Sequence, residues 1–248
     1  MSNTMEELAE ALGQDLLAHS LNCYRFFGDF HLALSGRPDA GPVYRHLMLD
    51  PVMRGIPWRR SHVWLVDEFG VDPVDERARW RLVQEVIGDH AGVPTSQLHP
   101  IPGLSRRAAD DYELEIQSAL EWRERGQDRL DYVLLTLSGD GTVAGLRPGC
   151  SVLSENRRHV RMIHQDDNGD ADGFDHTITM TYPMINAARF VAVIVAGAEN
   201  QPVIDKLVAH ADKQGSADAC TSLPALGLNP IGGELRWYVD RSACPTSR

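Results

Sequence analysis

The sequence predicts an α/β fold: a doubly wound, mostly parallel sheet with helices on both faces. Segments of strand-like and helix-like periodicity alternate along the chain, the order that builds parallel sheets through helical crossovers. Residues 130–137 and 190–196 are continuous apolar runs of strand length. Strands covered on both faces read this way, whereas a sheet with one wet face alternates apolar and polar residues. Both runs are therefore expected inside the sheet. The expected domain organisation is a single domain spanning residues 1–248, a length that supports one large core.

The elements follow in order. Residues 5–23 place Leu8, Leu12, Leu16 and Leu17 at helical spacing. Residues 31–34 form a short apolar segment, 35–42 are rich in turn formers, and 44–49 read as helical. Residues 62–66 are strand-like and end in Asp67-Glu68. Residues 77–89 put Trp80, Val83, Val86 and Ile87 on one side of a helix, with Arg77, Arg79 and Arg81 as a charged face. Residues 108–123 form a further helix, and the run 130–137 leads into a Gly139-Asp140-Gly141 turn. The polar stretch 156–175, with Asp166-Asp167-Asn168-Gly169-Asp170, reads as a solvated loop, because its spacing is not that of an EF-hand. Residues 178–181 alternate as a strand, 200–211 form a helix, and 237–239 form a last short strand.

Composition narrows the function. The formal net charge of -11 disfavours nucleic acid and anionic membrane as partners. It also means that an anionic ligand needs cations gathered locally. No apolar run reaches the roughly eighteen residues of a membrane span. The first ten residues are acidic, with no basic segment leading into an apolar one, so a cytoplasmic location is expected. Cys23, Cys150, Cys220 and Cys244 are far apart and form no CxxC pair. Reduced thiols are expected, with no metal site and no cofactor.

Five segments carry a family resemblance. Ser35-Gly36-Arg37-Pro38 through Tyr44 is similar to an SGGSTPxxxY loop, and Asp67-Glu68-Phe69 to an Asp-Glu-Arg or Asp-Glu-Tyr strand end. Gly139-Asp140-Gly141-Thr142-Val143-Ala144-Gly145-Leu146-Arg147-Pro148-Gly149 resembles GEDGHTASLFPG. Thr177-Ile178-Thr179-Met180 through Asn186-Ala187-Ala188-Arg189 resembles RITLTLPVINAAR, and Leu223-Pro224-Ala225 with Trp237-Tyr238-Val239-Asp240 resembles the same family's C-terminal segments. Together they identify the chain as a divergent member of the 6-phosphogluconolactonase and glucosamine-6-phosphate isomerase superfamily, nearer to the lactonase branch.

The resemblance implies hydrolysis of a sugar-phosphate lactone in carbohydrate metabolism, with a small-molecule sugar phosphate or sugar acid as partner. It places catalysis at Asp140 and Thr142 and ligand binding at Ser35, Gly36, Glu68, Gly141 and Asn186. The residues themselves add Asp67, at a strand's carboxyl end, and His176, an imidazole able to titrate near neutral pH, as catalytic candidates, and Arg37 as a ligand-binding cation. Several family groups are replaced. Thr142 stands at the position of the family's basic histidine, Phe69 and Thr177 at arginine positions, and Asn200 at a lysine position. Pro38 removes an N–H from the anion loop, while Arg37 brings a guanidinium to it. The alternatives are a homologue with impaired catalysis that binds a sugar-like or acidic ligand, and an aldose–ketose isomerase or deaminase. The sequence sets no oligomeric state and leaves open whether the chain is an enzyme.

Overall fold

A computed structural model describes residues 4–164 and 175–244. The chain runs through α1 (Met5–Phe27), β1 (Phe30–Leu34), α2 (Gly41–Leu49), β2 (Ser61–Leu65), β3 (Asp67–Phe69), α3 (Arg79–Val83), β4 (Leu98–His99) and α4 (Ala108–Leu120). It continues through β5 (Tyr132–Thr136), β6 (Val160–His164), β7 (His176–Met180), α5 (Tyr182–Ala187), β8 (Phe190–Val195), α6 (Gln201–Ala209), α7 (Ala217–Ser222) and β9 (Glu234–Val239).

Local chemistry sets the limits of α1. The Thr4 side chain accepts the Glu7 N–H at its start, and Gly28, at φ 81°, closes its end with an N–H bond to the Tyr24 carbonyl. Leu8, Leu12 and Leu16 are fully buried on its inner face. Each such side chain contributes about 1.5–3 kcal/mol by leaving water.

The main sheet is parallel throughout, in the order β4-β2-β1-β5-β8-β9. Every residue of β5 and β8 is buried, and both strands are interior. Chain order turns left from β1 to β2 and right from β5 to β8. The carboxyl ends of β1 and β5 therefore flank the topological switch point, where open α/β sheets bind ligands.

A second, antiparallel sheet has the order β3-β7-β6. Sequence patterning does not reveal it. Residues 160–164, expected within a solvated loop, form β6, whose Val160 and Ile163 are buried. The charged neighbours Arg157, Arg158 and Arg161 hide that strand in the average polarity. The aspartate-rich run 166–170 lies outside the described residues. Asp67, expected at the end of a strand in the main sheet, instead begins β3. The expected helix 77–89 is α-helical only over Arg79–Val83 and continues as a π-helical turn, Gln84–Gly88. Among the described residues, no helix is long and apolar enough to cross a membrane. All four cysteines are buried and unpaired.

At the amino ends of the strands sits a buried ionic knot. Asp131 accepts from Arg123 Nη1 and Nη2 at 2.8 and 2.9 Å, from Arg189 Nε at 3.0 Å, and from the His31 backbone N–H at 2.8 Å. Both the Arg123 and Asp131 side chains are wholly shielded from solvent. Asp131→Ala leaves Arg123 buried with half of its charge compensation gone. It is expected to cost about 3–5 kcal/mol, read as a lowered urea midpoint; an unchanged midpoint contradicts the role of the knot.

Candidate functional site

Ser35 follows β1 at the switch point. Its N–H bonds the Leu134 carbonyl at 2.9 Å, its Oγ lies 3.3 Å from Thr136 Oγ1, and its carbonyl accepts the Tyr44 hydroxyl at 2.6 Å. Contacts from β5 and α2 thus fix where the following loop begins. Gly36 is required by close approach: a Cβ there would lie 2.2 Å from the Arg79 carbonyl oxygen. Arg37 follows, partly exposed, with Nε 3.9 Å from Asp39 Oδ2.

Asp67 and Glu68 divide between two faces. Glu68 is buried, and its carboxylate accepts the backbone N–H groups of Phe69, Arg79 and Trp80 at 2.8, 2.9 and 2.9 Å. Burial pushes its carboxyl above the ordinary value, against the pull of those donors. Glu68, expected to bind ligand, is thus committed to closing the 69–79 loop and starting α3. Asp67 is fully buried and pairs with Arg79 Nη1 at 2.7 Å. The Arg79 guanidinium lies 4.3 Å from the centroid of the Phe69 ring. The expected charged face therefore splits. Arg77 and Arg81 pair with Asp75 and Glu85 near solvent, whereas Arg79 is turned inward.

The loop after β5 is built by Gly141, at φ 91°, and by Asp140. Asp140 Oδ1 accepts the Thr142 N–H and Oδ2 accepts the Thr142 hydroxyl, both at 2.9 Å. The Gly141 carbonyl accepts the Ala225 N–H at 3.1 Å, drawing this turn towards the segment before β9. The candidate residues border two openings. One, of about 490 Å³, is lined by Gly36, Arg37, Phe69 and Arg79. The other, of about 650 Å³, is lined by Gly139 and Asp140 together with Lys206, His210 and Lys213.

Two expected site residues lie elsewhere. His176 Nε2 is 2.8 Å from the Gly103 carbonyl, and its ring covers Gly70, on the face of β7 opposite Thr177. Asn186 precedes β8, at the amino ends of the strands. Its carboxamide bonds the Gly227 carbonyl and the Asn229 N–H at 2.8 and 2.9 Å. Both side chains are held by local backbone, which a linear motif does not reveal. Sequence reasoning also missed Arg79 and the lysines. Lys206 and Lys213 are the only lysines of the chain, a signal that could have marked them.

Beneath the site, His31, His62 and His99 form a row across β1, β2 and β4. The ligand atoms of Asp29, His31 and His62 lie within 4.8 Å of one another. Their partners favour hydrogen bonding over metal ligation. Trp64 Nε1–H donates to His31 Nδ1 at 3.2 Å, so neutral His31 carries its proton on Nε2, which faces Asp29 Oδ2 at 3.3 Å. Glu115 accepts from His99 Nδ1 at 2.6 Å, leaving His99 Nε2 to accept from His62 Nδ1 at 3.0 Å. Burial, followed by the neighbouring histidines, lowers His62 to about 4.

The fold defines an open α/β protein, with the candidate residues Ser35 and Asp140 following the carboxyl ends of parallel strands. Residues 3–237 match the family described as glucosamine-6-phosphate isomerases/6-phosphogluconolactonase, and the chain belongs to that family. It is 30% identical over 243 residues to the human GDH/6PGL endoplasmic bifunctional protein, covering 96% of this chain but 29% of that protein. It is 30% identical over 219 residues to a 6-phosphogluconolactonase of a Nostoc species, covering 87% of this chain and 84% of that one. Crystalline 6-phosphogluconolactonase from Thermotoga maritima superposes with a TM-score of 0.76 at 21% identity, over 94% of this chain and 95% of that one.

Two outcomes follow from this geometry. Gly36→Ala forces the Arg79 carbonyl away, and is expected to cost about 1–3 kcal/mol; a melting temperature equal to that of the wild type contradicts the close approach. His62 has a folded value of about 4, below its ordinary 6.5. The unfolded chain therefore binds the proton first, and stability is lost as pH falls through that window. A His62 resonance titrating near 6.5 in the folded protein excludes this contribution.

Proposed function

We propose that this chain hydrolyses the δ-lactone of a phosphorylated sugar acid, with 6-phosphogluconolactone as the substrate to test. The substrate class comes from the 6-phosphogluconolactonases among its relatives. The chemistry rests on one observation: the Asp140 carboxylate, held through both oxygens by Thr142 beside the switch point. Threonine alone does not deprotonate water near neutral pH, whereas a carboxylate accepts a proton. In this reading Asp140 takes a proton from water as the water oxygen attacks the lactone carbonyl. Collapse of the tetrahedral intermediate breaks the ring C–O bond, and the departing ring oxygen takes up the proton held by Asp140, giving the open acid and restoring the carboxylate. The Thr142 hydroxyl and N–H orient Asp140.

An aspartate is a weaker base than an imidazole, with reference values of about 3.9 and about 6.5. A modest rate is the consequence, above the spontaneous opening of the lactone but below that of a histidine enzyme. Acid release from freshly generated 6-phosphogluconolactone measures it. Asp140→Asn is expected to fall back to the spontaneous rate, and Thr142→His to gain about a hundredfold or more. A wild type no faster than buffer alone sinks the lactonase reading.

A further inference from the structure

The small sheet carries its own arrangement of cations. In antiparallel pairing, directly opposite residues point to the same face. Asp67 is opposite Thr179 and Phe69 is opposite Thr177, so these four side chains share one face. Two guanidinium groups arrive on it from different parts of the chain. Arg79 comes from the start of α3, lies over the Phe69 ring at 4.3 Å and is held by Asp67. Arg147 comes from the loop after β5, and its Nη2 donates to Thr177 Oγ1 at 3.2 Å. That loop is anchored to the same face one pair away, where the Gly145 N–H donates to Thr179 Oγ1 at 3.0 Å. Its turn is tight: Val143 and Leu146 bond each other in both directions, and Ala144 adopts φ 51°, unusual for a side chain with a Cβ.

Cross-strand neighbours have Cβ atoms about 5 Å apart. Two planar cations held over adjacent positions suit a single tetrahedral dianion, which both can approach with two-pronged contacts. Asp67 limits the repulsion between them, and a cleft lined by Arg37, Phe69 and Arg79 opens on the Arg79 side. We infer that Arg79 and Arg147 form a clamp for a phosphate monoester, on the face of the small sheet made by Phe69 and Thr177. In the lactonase reading, on which the identity of the ligand rests, the clamp holds the phosphate end of the substrate while Asp140 works at the lactone. Asp67 is then a positioning residue for Arg79.

Calorimetric titration with 6-phosphogluconate and with gluconate, which differ by the phosphate, tests the clamp without turnover. The wild type is expected to bind the phosphorylated acid more tightly by about tenfold or more. Arg147→Gln should remove most of that preference and leave gluconate binding unchanged, and Arg147→Lys should restore part of it. Arg79→Lys, which keeps the charge beside Asp67 but loses the planar fork, should act in the same direction. An Arg147→Gln protein with wild-type affinity for 6-phosphogluconate overturns the clamp, as does an equal loss for both acids. A wild type that hydrolyses no lactone but shows the phosphate-dependent loss keeps the clamp and drops the lactonase reading. Turnover of 6-phosphogluconolactone with KM unchanged by Arg147→Gln does the reverse.

Discussion

Glu68 accepts three backbone N–H groups, from Phe69, Arg79 and Trp80. This carboxylate closes the loop from 69 to 79 on itself and sets the first residue of α3. The backbone of Arg79 is then fixed against Gly36, with no space for a Cβ between them. Its side chain has one inward course, over Phe69 to Asp67. The arginine cleft, the start of the β1 loop and the face of the small sheet all depend on that anchoring. A buried carboxylate with several charge-assisted bonds is costly to disturb, because the loss leaves donors and charge unsatisfied together.

The distribution of charge answers the difficulty posed by a net charge of -11. At the amino ends of the strands, Arg123 and Arg189 are committed to Asp131 and Asp29 in a buried knot. At the carboxyl ends, Arg37, Arg79, Lys206 and Lys213 border the two openings. Fields of exposed charges fade within about 8–10 Å at physiological salt. A local group of cations therefore decides what an anion meets there, whatever the total.

The positions that the family resemblance marks as replaced have the same spatial logic. Phe69 and Thr177 are far apart in sequence and directly opposite in the small sheet. Each is met by a guanidinium from another segment, Arg79 for the first and Arg147 for the second. Read linearly, both positions record a lost cation. Thr142, which the resemblance sets at the base position, differs in kind, since its hydroxyl is bound to Asp140, its neighbour two residues earlier.

The order of elements, the interior strands at 132–136 and 190–195, and the turn at Gly139-Asp140-Gly141 were legible in the sequence. Each is written in local periodicity or in a residue type that a backbone conformation demands, and the family motifs carried the rest of the fold. Ser35, Asp67 and Asp140 could be placed near strand ends for the same reason. The small sheet was not legible, because β3 and β7 are short and pair across more than a hundred residues. Nor were the backbone partners that hold His176 and Asn186, or the inward turn of Arg79 between two solvent-facing arginines. Those depend on which backbone groups come within hydrogen-bonding reach after folding. That is a property of tertiary packing and leaves no periodic trace in the chain.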